Sequence, residues 1–174
     1  IMLKINPIIN QALNQFYVAQ TFTRWREGVA RTAYADAWLE WTGHLSESEI
    51  KAIQYIQSQL RRMDGMDLFQ QIARGQQPDE TMLKAFAHLE QRVKVICNDA
   101  EPNLYKVKER LAHPPEWFDK MNLGLDHFFG IDHEYHLNVF LLPSPAGWTG
   151  GTGSMLVGPG AMTLECSGNP DYVD

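Results

Sequence analysis

The pattern of apolar and polar residues changes near residue 130. Before that point, apolar side chains recur mostly three or four residues apart, whereas from residue 136 they form short runs. Helical spacing indicates amphipathic helices, and short runs bounded by proline and glycine indicate strands. The sequence therefore predicts an α+β fold: a mainly helical lobe over residues 1–130, followed by a small, partly antiparallel sheet over residues 131–174, packed together as one domain.

Local sequence signals divide the helical lobe into five or six helices. Asn6-Pro7 is typical of a helix start, and this first helix is expected to run to about residue 30. Ser46 and Glu49 have the spacing of a capping box, in which each side chain binds the backbone N–H of the other residue. Pro102 is expected to begin a new helix. The helical pattern continues over residues 25–43, and the other helices are expected within residues 50–60, 68–75, 80–96 and 116–125.

Three short apolar segments predict the sheet. Residues 136–142 are almost continuously apolar at their end and are followed by Pro143, which is typical of a central strand. Residues 155–157 and 161–166 flank Gly158-Pro159-Gly160, a turn sequence that predicts a hairpin.

Composition narrows the classes of partner. The chain has 174 residues, of which 44% are hydrophobic, so it is long enough for one sizeable core. Its net charge of −6 argues against nucleic acid or an anionic membrane as a partner. The sequence shows neither a signal peptide nor an apolar run that could span a membrane, and we expect a soluble chain. Cys97 and Cys166 lack the spacing of a metal site or disulfide framework and are expected to be free, buried thiols.

A cluster of histidines and carboxylates near residue 130 is one candidate site. His133 and His136 lie three residues apart, and His127 or Asp132 could complete a set of zinc ligands. Alternate residues of a strand point to opposite faces, so a strand that begins at His136 makes shared coordination awkward. We favour an interpretation as helix-end and turn residues, and keep His127, His133 and His136 as the candidate metal ligands.

The glycine-rich segment 147–153 is a second candidate site. It lacks the lysine of a Walker loop and the Gly-x-Gly-x-x-Gly pattern at the start of a helix, which argues against nucleotide binding. A loop that lets another chain approach its backbone is favoured.

Serine and tryptophan residues give two further candidates. The serines considered as nucleophiles are Ser144, Ser154 and Ser167. None of them lies in the Gly-x-Ser-x-Gly motif of a serine hydrolase. Three tryptophans could line an apolar pocket, but their helical spacing favours a place in the core. These tryptophans are Trp25, Trp38 and Trp41.

The order of elements resembles one known family. A helical lobe, the apolar strand 136–142, a glycine-rich loop and a strand within 155–166 resemble the upstream half of zincin-like zinc metallopeptidases. In that family this region precedes the active-site helix with His-Glu-x-x-His, and its last strand forms the upper rim of the cleft. This chain contains no His-Glu-x-x-His. The resemblance therefore implies a portion of a peptidase that is inactive by itself, with zinc bound by sequence beyond Asp174 and none expected on this chain.

The resemblance also implies a way of binding substrate. An extended peptide or protein segment would pair with the exposed edge of the strand through backbone hydrogen bonds. The residues expected to bind it are Gly151, Gly153, Ser154, Met155 and Val157. The same unpaired edge favours self-association. Two alternatives remain open: a non-enzymatic α+β module that binds a ligand or partner, and a self-contained metal-dependent hydrolase that uses the cluster from His127 to His136.

Overall fold

The computed structural model describes residues 2–24, 29–62, 65–130, 134–146 and 154–166. Within these ranges the chain is mainly helical with one small sheet, which confirms the α+β class. The elements in chain order are β1 (Met2–Ile8), α1 (Gln11–Phe22), α2 (Val29–Thr42), α3 (Glu47–Arg62), α4 (Gly65–Ala73), α5 (Glu80–Ala112), α6 (Glu116–Phe129), β2 (Glu134–Leu142), β3 (Ser154–Gly158) and β4 (Ala161–Glu165). None of the helices in the described ranges is long and apolar enough to cross a membrane.

The sheet has the strand order β1-β2-β4-β3. The first three strands in this order pair in parallel, and β3 joins β4 in the antiparallel direction. The prediction of a small, partly antiparallel sheet built from residues 131–174 is corrected for the body of the sheet: β1, β2 and β4 are all parallel, and among the described strands only the β3–β4 hairpin is antiparallel. The sheet includes β1, which lies in the part of the sequence assigned to the helical lobe.

The prediction that Asn6-Pro7 starts a helix is wrong. Both residues belong to β1, and the helix begins after Asn10, whose side chain accepts a hydrogen bond from the N–H of Leu13 at 3.0 Å. Leu3 turns its N–H and C=O away from β2, toward Asn122. Pro7 lies four residues further along the strand and has the same orientation, so its missing N–H costs the sheet no hydrogen bond.

Several helix boundaries differ from those predicted. Helix α1 ends at Phe22 rather than near residue 30, and α5 continues through Pro102 as one helix of 33 residues. Pro102 has no N–H and cannot donate a hydrogen bond to the carbonyl of Asn98. Because Asn98 is exposed, water can bind this carbonyl instead. Helix α6 extends to Phe129 and ends at Gly130, whose left-handed backbone lets its N–H bind the carbonyl of Asp126.

The last four residues of β2 are buried, on both faces of the sheet, and β2 lies between β1 and β4, which confirms the prediction of a central strand. Phe140 and Leu142 pack into the larger core with α1 to α5, whereas Val139 and Leu141 pack into a smaller core on the opposite face. Helix α5 contributes to both cores, through Leu89 and its neighbours in the first half and through Leu104 and Val107 in the second. The sheet is therefore fixed between two apolar layers.

Candidate functional site

The residues expected to bind a peptide lie at one end of the sheet. Ser154, Met155 and Val157 belong to β3, which is the end strand next to β4. Gly151 and Gly153 lie outside the described residues. The register pairs Ser154 with Leu164 and Met155 with Thr163, and it shifts between Leu156 and Gly158. One edge of β3 is thus hydrogen-bonded to β4, and its other edge is the end of the sheet.

A tight turn determines where β3 lies. Pro159 and Gly160 connect β3 to β4, and Gly160 has a φ of 67°, a value that suits the third position of a type II turn. The carbonyl of Gly160 accepts a hydrogen bond from the N–H of Asn138 on β2 at 2.8 Å. A Cβ atom at Gly160 would lie 3.2 Å from the carbonyl oxygen of His136. The turn therefore needs glycine both for its backbone conformation and for its close contact with β2.

Buried polar groups meet at the carboxyl ends of β2 and β4. The Tyr17 hydroxyl of α1 donates to Glu165 Oε1 at 2.7 Å, and both side chains are buried. Ser144 donates to the carbonyl of Cys166, which joins the segment after β2 to the end of β4. Asn14, one turn before Tyr17, has a buried Oδ1 without a hydrogen-bond partner among the described residues. The Tyr17–Glu165 hydrogen bond attaches the end of β4 to α1, and the Ser144–Cys166 hydrogen bond attaches it to the segment after β2.

The opposite edge of the sheet is covered. Asn122 of α6 accepts a hydrogen bond from the N–H of Leu3 at 3.0 Å and donates one to its carbonyl at 3.2 Å. The carboxamide thus pairs with β1 as a single residue of a neighbouring strand would. Proline at position 7 removes another donor from the same edge. In contrast, β3 has the sequence Ser-Met-Leu-Val-Gly, with neither proline nor a charged residue.

The candidate metal ligands do not form a metal site within the described part of the chain. His127 is exposed in the last turn of α6, and His136 is exposed on β2, where its Nε2 lies 2.7 Å from Glu134 Oε1. A hydrogen bond from Lys4 lowers the pKa of Glu134. His133 lies outside the described residues. Across the described ranges, no group of three or more histidine, cysteine, aspartate or glutamate side chains is arranged to bind a metal.

The cysteines are free, as predicted, and only Cys166 is fully buried. Burial raises the pKa of each thiol to about 12, so both are protonated at neutral pH. Neither is an activated nucleophile.

The serine and tryptophan candidates lie in different environments in the structure. Ser144 is buried and bound to backbone, Ser154 is on β3, and Ser167 lies outside the described residues, as does Trp25. Trp38 is 2% exposed and packs against Phe22 and Tyr34, which confirms the core interpretation for this residue. For Trp41, with 52% exposure, that interpretation is wrong.

Sequence reasoning missed two features. Arg92 of α5 binds the carboxylate of Glu49 and groups at the end of α2, and this contact lowers the pKa of Glu49 to about 2. The second feature is a cavity of about 510 Å³ between β1, the end of α5 and α6. Asp119 lies on the helix predicted over residues 116–125, but Asp126 lies just beyond its predicted end, and β1, the other wall of the cavity, was not predicted as a strand.

No family model matches the chain, and neither the curated proteins nor the solved structures include a significant match.

Proposed function

We propose that this chain is the upstream, peptide-handling portion of a zincin-like metallopeptidase and that it binds an extended peptide along β3. The observation that carries the proposal is the position of β3 as an antiparallel end strand of the sheet. Alternate residues of such a strand direct their N–H and C=O groups away from the neighbouring strand. Peptides bind to other proteins by adding a strand to such an edge.

The difference between the two edges supports this assignment. Proteins commonly protect an end strand with proline, charge or a covering element, because an open edge pairs with other chains. The β1 edge has Pro7 and the Asn122 carboxamide, whereas the sequence of β3 includes no such residue. The edge of β3 is therefore the better suited of the two to accept a strand.

The arrangement around β3 supports the same proposal. Strand β2, the segment 147–153, β3 and β4 follow one another in the order expected for the family. We assign the rim to β3 rather than to β4 because β3 is the end strand of the sheet. The turn at Gly160 and the buried Tyr17–Glu165 hydrogen bond hold the strands that carry this rim. A binding site that is already rigid loses less conformational entropy when a peptide binds.

The described residues do not fit a zinc site, since they include no suitable group of three ligands. We therefore derive no catalytic step for this chain. In the proposed peptidase, zinc and its ligands belong to further sequence, and the role of this portion is to bind and orient the peptide.

Proline substitutions in β3 test the strand addition. Because N–H groups alternate in direction along a strand, either Met155 or Leu156 directs its N–H away from β4, toward the end of the sheet. The probe is a fluorescent, end-blocked hexapeptide of alternating threonine and valine. Of Met155→Pro and Leu156→Pro, one variant should keep its stability and lose binding of the probe. The other should lose a hydrogen bond to β4 and be destabilised.

The matched controls are Met155→Ala and Leu156→Ala, which keep both N–H groups. We expect them to bind the peptide, because pairing depends on the backbone. The proposal is wrong if the unmodified chain shows no saturable binding, or if a folded proline variant at each position binds as the unmodified chain does.

A further inference from the structure

An open pair of backbone groups lies on the edge of β1 that faces α6. The N–H and C=O of Leu3 point away from β2 and bind Asn122 of α6. Because these groups alternate in direction along a strand, the N–H and C=O of Ile5 point toward the same edge. Neither of these two groups of Ile5 has a hydrogen-bond partner within the described ranges. Backbone groups of this kind need a partner, which is either water or a ligand.

A cavity with the size of a small-molecule site lies along this edge. Its volume is about 510 Å³, and small ligands generally occupy pockets of roughly 300–1,000 Å³. Ile5 lines the cavity from β1, and Leu111, Phe118 and Leu123 give it an apolar wall. Leu123 is 71% exposed, so a ligand in the cavity would cover apolar surface that the fold leaves in contact with water.

The chain itself shows which chemical group fits an edge residue of β1. Asn122 Oδ1 accepts a hydrogen bond from the N–H of Leu3 at 3.0 Å, and Asn122 Nδ2 donates one to the carbonyl of the same residue at 3.2 Å. A carboxamide satisfies both groups at once because it carries an acceptor and a donor side by side, whereas an ionised carboxylate has no donor. Ile5 presents the same two backbone groups on the same edge.

The open part of this edge suits one amide group rather than a strand. Asn122 occupies the edge at Leu3, and Pro7 has no N–H to offer on the same side. Between these two positions, Ile5 offers one N–H and one C=O. A bound strand gains its affinity from several such pairs in succession, whereas a single amide group needs only one.

We propose that this cavity binds a small apolar carboxamide or lactam. Its amide group pairs with the N–H and C=O of Ile5, as the side chain of Asn122 pairs with Leu3. Its apolar body packs against Leu111, Phe118 and Leu123. This site is separate from the edge of β3 and does not depend on the peptide-binding proposal.

Calorimetric titration with naphthylacetamide tests the proposal. The matched ligand is naphthylacetone, a methyl ketone of similar size that accepts a hydrogen bond but donates none. The amide should bind roughly three- to tenfold more tightly than the ketone, because the ketone leaves the carbonyl of Ile5 without a donor. Equal affinities, or no saturable binding of the amide, would overturn the proposal.

Hydrogen exchange locates the contact on β1. Without ligand, the Ile5 amide should exchange faster than that of Leu3, which binds Asn122, and that of Lys4, which is directed toward β2. Saturating naphthylacetamide should slow exchange at Ile5 and leave Lys4 unchanged. An Ile5 amide that is as protected as its neighbours without ligand, or that gains no protection with it, would contradict the proposal.

A pair of variants at Ile5 tests the role of its N–H. Ile5→Pro removes this N–H but no hydrogen bond to β2, since proline is tolerated on the outer side of an edge strand. Ile5→Ala is the control, because it also shortens the side chain but keeps the N–H. The amide should bind roughly three- to tenfold more weakly to Ile5→Pro than to Ile5→Ala. Equal affinities for the two folded variants would overturn the proposed pairing.

A second pair of variants tests the cavity. Ala112→Trp fills it from an exposed lining position and should abolish binding of both ligands. Ala12→Trp, at an exposed position outside the lining, should leave both affinities unchanged. Circular dichroism establishes that each variant is folded. Binding of the amide to the folded Ala112→Trp variant at the affinity of the unmodified chain would place the ligand elsewhere and contradict the proposal.

Discussion

Arg92 connects three helices through every N–H group of its guanidinium. Its Nε and Nη2 atoms bind the two oxygens of Glu49 at 2.7 and 3.2 Å. The remaining N–H groups bind Thr42 Oγ1 and the carbonyls of Gly43 and His44. The side chains of Arg92 and Glu49 are only 9% and 12% exposed. Removal of the arginine would therefore leave a nearly buried carboxylate without its main partner.

We expect Arg92→Met to lower the free energy of unfolding by about 3 kcal/mol at neutral pH, because breaking a buried ion pair leaves one charge uncompensated. The loss should depend on pH. Arg92, with a smaller contribution from the hydrogen bonds of Ser46, lowers the pKa of Glu49 from 4.5 to about 2 in the folded chain, so the ion pair stabilises the fold above pH 4.5. This contribution decreases as the pH falls toward 2. Urea unfolding between pH 7 and pH 2.5 should show the two proteins converging in stability as the pH falls.

The control is Lys94→Met, which breaks an exposed pair with Glu90 on the same helix. Its cost should stay below about 0.5 kcal/mol. An Arg92→Met variant as stable as this control, or a difference from the unmodified chain that does not change with pH, would contradict the assignment.

Local contacts were predictable from the sequence at this scale, and distant ones were not. The capping box is confirmed: Ser46 Oγ accepts from the N–H of Glu49 at 3.3 Å, and Glu49 Oε2 accepts from the N–H of Ser46 at 2.7 Å. Its partners are three residues apart and can be found by spacing. Arg92 lies 43 residues from Glu49 and also binds backbone carbonyls, for which sequence spacing gives no signal.

At the scale of elements, Asn122 attaches α6 to the edge of β1. We expect Asn122→Ala to lower the free energy of unfolding by about 1–3 kcal/mol, because the N–H and C=O of Leu3 both lose their partner. Hydrogen exchange should also become faster at the Leu3 amide. Amides in the middle of α1 should keep their protection in native conditions.

The matched control is Asn98→Ala, at an exposed position of α5. It should leave the exchange of the Leu3 amide unchanged. Unaltered protection of Leu3 in a folded Asn122→Ala variant would show that the carboxamide does not protect this edge.

The predicted boundaries of helices and strands were wrong where tertiary packing outweighed local sequence signals. Asn6-Pro7 has the sequence of a helix start, yet pairing with β2 makes it part of a strand. Pro102 was expected to begin a helix, but Leu89 and Val93 before it and Leu104 and Val107 after it are buried in the two cores. Packing on both sides of the proline keeps α5 continuous. The hairpin between β3 and β4 was predicted because its turn residues are adjacent in sequence.

At the scale of the whole molecule, the sheet depends on contacts between distant parts of the chain. Strand β1 pairs with β2, more than 120 residues later, and β2 pairs in parallel with β4. Apolar periodicity identifies a strand but not its partner, so the helical lobe was predicted without its strand. The edge of β3 was anticipated through the family resemblance, and its place at the end of the sheet follows from the pairing.

The proposed function as part of a metallopeptidase implies zinc ligands on further sequence after Asp174. The decisive measurement is the coding sequence beyond Asp174, with zinc analysis of the purified product of the complete gene. We predict that the reading frame continues into a helix with His-Glu-x-x-His and that the product contains zinc at one ion per chain. A frame without this motif, or a full-length product without zinc after purification in its presence, would contradict the metallopeptidase assignment.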